Sequence, residues 1–135
     1  MRRVAVLVIE RGAEAGLICA ALARSPGVRV IDAPDVAGAL ARLDQDPFPV
    51  ALAIAGETTL NEDADEVVRR LGGRGIPVVG VAPGLPAAAR QRALAAGVRE
   101  IHDRPTEWRP YSALIDSLVA RFTPAGLPPR RGPTS

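Results

Sequence analysis

Lysine is missing altogether from this 135-residue sequence, in which all 17 basic residues are arginine. Chemistry that requires a lysine amine is therefore excluded. The single cysteine, Cys19, cannot form an internal disulfide, and its aliphatic neighbours favour a small buried residue over a reactive thiol. No apolar run reaches the length of a membrane span, and the run that begins after Arg3 stops at Glu10 without an export cleavage pattern. These absences predict a soluble, cytoplasmic protein that does not enter a membrane.

The distribution of charge argues against nucleic-acid binding. The formal net charge is +2, and the arginines are spread from Arg2 to Arg131 without a dense run. A nucleic-acid surface needs basic residues gathered on one face. Apolar residues make up 47% of the chain and charged residues 24%, which is ordinary for a globular protein. The length fits one domain with one core.

Uninterrupted apolar runs predict strands that are buried on both faces. The most informative run is Val50–Ala55, which lies between a proline-rich turn at 46–49 and Gly56. Such a strand is typical of the middle of a parallel sheet. A similar run follows Arg3, from Val4 to Ile9. Further strands are predicted at 28–31, 76–82 and 98–102.

The segments between these runs carry apolar residues at helical spacing. They predict helices at 13–24, 36–43, through Val67 to Leu71, at 86–96 and at 110–122, with a polar connection at 57–66. Five strands alternating with five helices indicate an α/β fold, a three-layer sandwich in which right-handed crossovers cover both faces of a parallel sheet. The domain is predicted to span 1–122, and the proline- and glycine-rich segment 123–135 is predicted to be a flexible tail or linker.

The order and length of these elements resemble the receiver domain of bacterial two-component response regulators. The similar segments are Val-Leu-Val-Ile-Glu at 6–10, Ile-Pro-Val-Val at 76–79 and Ala-Leu-Ala-Ala-Gly-Val at 93–98. Arg104-Pro105 lies where the family has a lysine followed by proline. The resemblance covers roughly the first nine tenths of the chain, the span of one typical domain. It implies a flavodoxin-like (βα)5 fold with strand order 2-1-3-4-5.

The resemblance also implies a magnesium and phosphoryl site, but the residues of that site are replaced here. In the family, two acids after the first strand and an aspartate ending the third hold the ion, and that aspartate accepts the phosphoryl group. A hard cation needs oxygen ligands, and phosphoryl transfer needs cationic charge beside the oxygens. The corresponding degenerate receiver site in this sequence consists of Glu10, Arg11, Ala53, Ala82 and Arg104.

The residues at these positions do not provide for magnesium binding and phosphoryl transfer. Arg11 cannot ligate a cation, and the acceptor position falls on Ala53, or on Ala55 or Gly56 with a shorter insertion. Ala82 replaces the hydroxyl residue that ends the fourth strand in the family. The sequence therefore predicts a pseudo-receiver without an aspartyl-phosphate switch, with no enzymatic activity, no cofactor and no bound metal.

Two further clusters of charge allow a chemical and a structural interpretation. Glu10, Arg11 and Arg104 come to one end of the predicted sheet, where an ion pair could lock a conformation or bind a small anion. A weak, partly exposed salt bridge is the simpler interpretation.

The acids that follow the third strand could be a divalent-ion site, but their spacing does not match a calcium loop. Capping of the third helix is favoured. These acids are Glu57, Glu62, Asp63, Asp65 and Glu66. His102 has no serine or cysteine placed beside it by a motif, which favours a hydrogen-bonded structural histidine over a hydrolytic triad.

The favoured function is phosphorylation-independent signalling through contact with a regulatory protein or with a second copy of the chain. In the family, the fourth helix, fifth strand and fifth helix form the dimerisation face. Trp108 could supply the aromatic anchor that interfaces favour. The interface candidates carried over by resemblance are Arg90, Leu94, Arg99, Trp108, Tyr111 and Asp116.

Two rival functions use the same end of the sheet. One is an α/β sensor of a small ligand or nucleotide, with Gly12, Gly56 and Gly84 in the loops that would approach it. The other is a phosphorylatable receiver with a displaced acceptor, either Glu57 or Asp63.

Overall fold

The computed structural model describes residues 4–123 of the chain. Its strands are β1 (Val4–Ile9), β2 (Val28–Ala33), β3 (Val50–Ala55), β4 (Val78–Ala82) and β5 (Glu100–Asp103). Its helices are α1 (Gly12–Leu22), α2 (Val36–Gln45), α3 (Glu57–Glu62), α4 (Ala64–Gly72), α5 (Ala87–Ala96) and α6 (Trp108–Phe122). The tail predicted at 123–135 lies outside the described residues, apart from Thr123.

The strands form one parallel sheet in the order β2-β1-β3-β4-β5, which confirms the predicted fold class. Every residue of β1 and β4 is buried, and so are the last four of β3. The edge strands β2 and β5 have exposed residues. A central strand has helices on both faces and strands on both sides, so it is buried and its sequence is an unbroken apolar run. An edge strand is open to solvent on one side and can include polar residues.

The helices divide into two layers because alternate residues of each strand point to opposite faces of the sheet. Leu7 and Ile9 of β1 belong to the core cluster beneath α2, α3, α4 and α5. Val6 and Val8 belong to the cluster beneath α1 and α6. The chain is therefore a three-layer sandwich, as predicted.

The prediction of five helices was wrong in one region. The stretch 57–66 is not a polar connection, because α3 begins at Glu57 and α4 follows it after Asp63. Nothing in the apolar spacing of 57–62 predicts a helix, since Leu60 is its only large apolar residue. The predicted bounds of the other elements lie within three residues of the observed ones.

The longest helix described, α6, has 15 residues. Within 4–123, no helix combines the length and the apolar character needed to cross a membrane. Cys19 was predicted to be buried; it is partly exposed and packs against the core cluster beneath α1 and α6. Burial, followed by the charge of Asp32, raises the pKa of the Cys19 thiol, so its thiolate form is disfavoured.

The end of α5 depends on a glycine. Gly97 has a φ of 121°, which L side chains rarely adopt, and an added Cβ would lie 2.7 Å from Cγ1 of Val68. It closes the helix where the chain turns towards β5, as glycine commonly does. Gly16, in the middle of α1, has an ordinary φ and no atom within 4 Å of an added Cβ.

These two glycines should respond oppositely to substitution by alanine. Gly97→Ala is expected to lower the free energy of unfolding by about 1–3 kcal/mol, because it imposes backbone strain and a clash with Val68. Gly16→Ala is expected to raise it by about 0.5–1 kcal/mol, because it reduces the entropy of the unfolded chain. Urea denaturation of both variants checks this, and equal effects would contradict the described geometry at Gly97.

Candidate functional site

The candidate site lies at the carboxyl ends of β1 and β3. Strand order reverses here, because β2 lies on one side of β1 while β3, β4 and β5 lie on the other. Ligand sites of open α/β sheets form at such a position. Glu10 follows β1, and Gly56 follows β3. The N–H of Gly56 donates to the carbonyl of Ile9 over 3.3 Å, which brings the two strand ends into contact.

The carboxylate of Glu10 is directed at the first turn of α3 and is 5% exposed. The backbone N–H of Thr58 donates to Oε2 over 3.3 Å, and that of Thr59 donates to Oε1 over 3.2 Å. The Thr59 hydroxyl donates to the Ile9 carbonyl over 2.8 Å and also lies 3.2 Å from Oε1. Gly56, the residue at the N-cap position of α3, has no side chain to make these bonds. Glu10 therefore caps α3 from its position directly after β1, and its negative charge is favourable at the helix N-terminus.

Gly56 leaves the space in which this side chain lies. An added Cβ on Gly56 would be 2.5 Å from Cγ of Glu10 and 2.6 Å from its Cδ and Oε1. Non-bonded carbon atoms do not approach so closely without displacing one another. A side chain at position 56 and the observed position of Glu10 therefore exclude each other.

The alanines of the degenerate site lie at different depths in the sheet. Ala53 pairs with Leu7 and Val78, two residues before the end of β3, and is completely buried. Ala82 ends β4 and is also completely buried. Its carbonyl accepts the N–H of Arg104 over 2.9 Å. The position where an added Cβ would meet Glu10 is Gly56, at the N-cap of α3.

The residues at this edge do not fit a magnesium ion. Glu10 follows β1 and Glu57 follows Gly56 at the junction of β1 and β3, and both oxygens of Glu10 already accept N–H groups. Within residues 4–123, no three His, Cys, Asp or Glu side chains are grouped closely enough to hold a metal ion. A hard cation at this edge would have too few oxygen ligands.

The ion pair suggested for Glu10, Arg11 and Arg104 is not formed. Arg11 is exposed, and its Nη2 lies 3.4 Å from Oε1 of the exposed Glu62. This pair links the β1–α1 loop to the end of α3. It is the weak surface salt bridge that was the simpler interpretation, though with a different partner.

Arg104 pairs instead with Glu14 of α1, over 2.9 Å between Nε and Oε2. Neither of these two buried atoms has hydrogen-bond geometry towards the described residues, so the attraction between Glu14 and Arg104 is electrostatic. The buried hydroxyl of Tyr111 also has no hydrogen-bond partner among the described residues. Burial raises the pKa of Glu14, whereas the charge of Arg104 opposes that rise. Burial, followed by the charge of Glu14, also raises the pKa of Tyr111. Arg104 is therefore directed towards α1 and α6.

The acidic cluster forms neither a metal site nor the cap that was predicted. Asp63 stands at the N-cap position of α4, but its side chain makes no capping hydrogen bond. Glu66 pairs with Arg69 and Arg70 on the same helix, over 3.7 Å and 3.0 Å. Asp65 and Glu66 nevertheless place negative charge in the first turn of α4, where it is favourable.

His102 belongs to a network of hydrogen bonds at the edge strand, as expected for a hydrogen-bonded histidine. Its Nε2 contacts Oε1 of Glu100. Both terminal nitrogens of Arg121 donate to the same carboxylate, over 2.6 Å and 2.8 Å. The Arg121 guanidinium, with a smaller contribution from His102, lowers the pKa of Glu100 to about 2. This network ties β5 to the last turn of α6.

The six interface candidates lie on two separate surfaces. Leu94 and Arg99 are exposed beside α5, and Arg90 donates to the Ile101 carbonyl and to Asp103 of β5. On α6, Tyr111 belongs to the core, and Asp116 accepts two hydrogen bonds from Arg24, which follows α1.

Trp108 is exposed and lines a cavity together with Leu17 of α1. The second surface therefore lies between α1 and α6, away from α5. The pairing of Asp116 and the position of Trp108 were not apparent from sequence spacing alone.

Comparison with solved structures gives similar folds at low sequence identity. The phosphorylated cyanobacterial phytochrome response regulator RcpA has a TM-score of 0.72 and 18% identity, over 89% of this chain and 94% of that one. A response regulator receiver protein from Burkholderia phymatum has a TM-score of 0.65 and 26% identity, over 87% and 94%. An orphan response regulator of H. pylori, HP1043, has a TM-score of 0.67 and 17% identity, over 91% and 100%.

No family model matches the sequence, and no curated protein matches it significantly. The structural neighbours support the receiver-domain family and show the receiver fold.

A double-mutant cycle tests whether Glu10 and position 56 exclude each other. Glu10→Ala is expected to lower the free energy of unfolding by about 1–3 kcal/mol, because it leaves two N–H groups of α3 without partners. Gly56→Ala should cost a similar amount through overpacking. In the Glu10→Ala background, the cost of Gly56→Ala should fall by about 1 kcal/mol or more.

The control for this cycle is Arg11→Ala, which removes only an exposed ion pair. It is expected to change the free energy of unfolding by less than about 0.5 kcal/mol, with or without Gly56→Ala. Additive effects of Glu10→Ala and Gly56→Ala in urea denaturation would contradict the steric account.

The Glu100 network predicts a specific dependence on pH. Because the pKa of Glu100 is lowered from 4.5 to about 2 in the folded chain, its ionised form stabilises the fold fully above pH 4.5. That contribution is lost as the pH falls from 4.5 towards 2. Glu100→Gln should cost about 1 kcal/mol at pH 7 and progressively less as the pH falls through this range. Unfolding measured at several pH values checks this, and a cost independent of pH would contradict it.

Proposed function

We propose that this chain, a receiver-fold domain by its sheet order and its structural neighbours, is a non-enzymatic signalling module that acts through protein contacts without phosphorylation. The observation that supports this most strongly is the position of Glu10. Its carboxylate caps α3 and fills the space that a side chain at position 56 would need. A domain built in this way cannot be switched by charging an aspartate at that position.

The displaced acceptors have little support as phosphorylation sites. Glu57 is the first residue of α3, and Asp63 lies between α3 and α4. Phosphoryl transfer to either carboxylate would need cationic charge beside the transferred oxygens. The guanidinium groups of the degenerate site are paired with other carboxylates, that of Arg11 with Glu62 and that of Arg104 with Glu14.

The surface beside α5 and β5 is the proposed contact site. Leu94 is 43% exposed there, and an exposed leucine between polar groups is suited to burial against a partner. Arg90 is held in place by the Ile101 carbonyl over 3.0 Å and by Asp103 over 2.8 Å. An ordered arginine loses less conformational entropy on binding than a free one. Arg99 adds an exposed charge on the same side.

The small-ligand sensor has weaker support. Of its three glycines, Gly56 is closed off by the Glu10 side chain, while Gly12 and Gly84 have open space around them. The buried carboxylate of Glu10 is used within the fold, because it caps α3. A recognition site needs several polar groups that converge on open space.

A matched pair of glutamate variants tests the contact surface. Leu94→Glu is expected to abolish self-association at high concentration in light scattering, or capture of a partner if the contact is with another protein, because it places a charge in an apolar contact. Ala20→Glu adds the same charge at an exposed residue of α1, on the opposite side of the sheet, and should have no such effect. If both variants behave as the original chain does, the α5 surface is not the contact site.

A phosphoryl donor tests whether the chain acts without phosphorylation. Incubation with acetyl phosphate and magnesium is expected to leave both the intact mass and the self-association unchanged. A mass increase of one phosphoryl group, mapped to Glu57 or Asp63, would establish the displaced-acceptor alternative instead.

A further inference from the structure

A small cavity lies between α1 and the segment that leads from β5 into α6. Its volume is about 110 Å³. Leu17 and Trp108, two of the three large hydrophobic residues that are exposed in the described part of the chain, both line it. Pro105 and Thr106 also belong to the lining, and so does Tyr111. Trp108 is 47% exposed and Tyr111 only 2%, so the lining runs from an exposed aromatic ring to a buried one.

Two residues of this lining carry buried polar atoms that lack hydrogen-bond partners. These atoms are the hydroxyl of Tyr111 and Nε of Arg104, and Oε2 of Glu14, 2.9 Å from that nitrogen, is likewise without a partner among the described residues. Burial, followed by the charge of Glu14, raises the pKa of Tyr111, whereas the charge of Arg104 opposes that rise. The three groups therefore lie close together, and the hydroxyl keeps its proton. Buried polar groups almost always have partners, so these groups mark a place where the polar end of a ligand gains hydrogen bonds.

The polar atoms of the lining require a hydrogen-bond acceptor in the ligand. The Tyr111 hydroxyl has a proton to donate, and the Arg104 guanidinium has only donors. A carbonyl oxygen has two lone pairs and accepts from both groups. A carboxylate is disfavoured, because Glu14 already neutralises Arg104 and Glu107 adds a second negative charge to the surroundings. An amide is favoured over a ketone, since its N–H groups can donate to these carboxylates.

The size and the apolar wall of the cavity limit the rest of the ligand. A cavity of about 150 Å³ holds one benzene molecule, so one of 110 Å³ holds about four to six non-hydrogen atoms. Leu17, Pro105 and the ring of Trp108 form the apolar part of the lining. An aliphatic group placed against them removes apolar surface from water on both partners. Short-chain aliphatic amides combine this size, this body and the required polar end.

We propose that the cavity between α1 and α6 is a binding site for small, neutral aliphatic amides. The carbonyl of the ligand accepts hydrogen bonds from Arg104 and Tyr111, and its N–H groups face the neighbouring carboxylates. Its aliphatic body packs between Leu17 and Trp108. The site lies on the side of the sandwich opposite the α5 surface, so the proposal does not rest on the proposed contact function.

Two probes of the same shape and size, isobutyramide and isobutyrate, test the proposal because they differ in charge. Trp108 is the only tryptophan of the chain, so its indole N–H gives a single NMR signal. Titration of the full chain with isobutyramide at millimolar concentrations should shift this signal saturably. Isobutyrate should bind about tenfold more weakly, because the carboxylates of Glu14 and Glu107 repel it.

Variants of the lining assign the binding to this cavity. Tyr111→Phe is expected to weaken isobutyramide binding about three- to tenfold, because it removes one hydrogen bond to the carbonyl. It deletes only a hydroxyl that has no partner, so the variant should fold as the original chain does. The matched control is Ser112→Ala, which deletes a neighbouring hydroxyl of α6 outside the lining and should leave the affinity unchanged. Glu107→Gln should narrow the difference between the two probes, since it removes a negative charge from the lining.

Three results would overturn the proposal. Absence of a saturable shift with isobutyramide would mean that the cavity is not a ligand site. Equal affinity for the two probes would show that they contact only the exposed face of Trp108. An affinity for isobutyramide that is unchanged in Tyr111→Phe would remove the buried hydroxyl from the site. Saturable binding of isobutyramide in preference to isobutyrate, weakened by Tyr111→Phe and unaffected by Ser112→Ala, would support the proposal.

Discussion

The arrangement at the functional end of the sheet depends on one interaction, the binding of the Glu10 carboxylate to the N-terminus of α3. A helix of six residues is too short to be stable by propensity alone, so α3 needs tertiary support. Glu10 supplies it by accepting the N–H groups of Thr58 and Thr59. The cap joins β1 to the segment after β3. Because the Glu10 carboxylate is bound to α3, it is not directed at a metal ion, as the corresponding acid would be in a receiver domain.

Packing on the other side of α3 reinforces this arrangement. Leu60 is buried against β4, where an added Cβ on Gly80 would lie 2.7 Å from Cδ1 of Leu60. Glycine on one strand therefore makes room for the anchor of α3, as Gly56 on another makes room for its cap. The segment after β3 is fixed at both sides by steric fit.

The sheet could be predicted from the sequence because its signal is local. The unbroken apolar runs of β1 and β3, and the glycines that end the helices, each indicate their own structure within a few residues. The helix α3 could not be predicted, since its cap comes from Glu10, 48 residues before Thr58. The partners of Arg11 and Arg104 were missed for a similar reason. The predicted order of elements placed both arginines at the correct end of the sheet. Their partners depend on tertiary packing, which brings Arg11 to Glu62 and Arg104 to Glu14.

The most direct measurement is a magnesium titration followed through the backbone amide resonances of Thr58 and Thr59. If Glu10 serves as the cap of α3, millimolar magnesium should leave both amides unshifted and equally protected from hydrogen exchange. A saturable shift of these two resonances, with loss of their protection, would show that the carboxylate leaves the helix to bind the ion. That result would contradict the account given above.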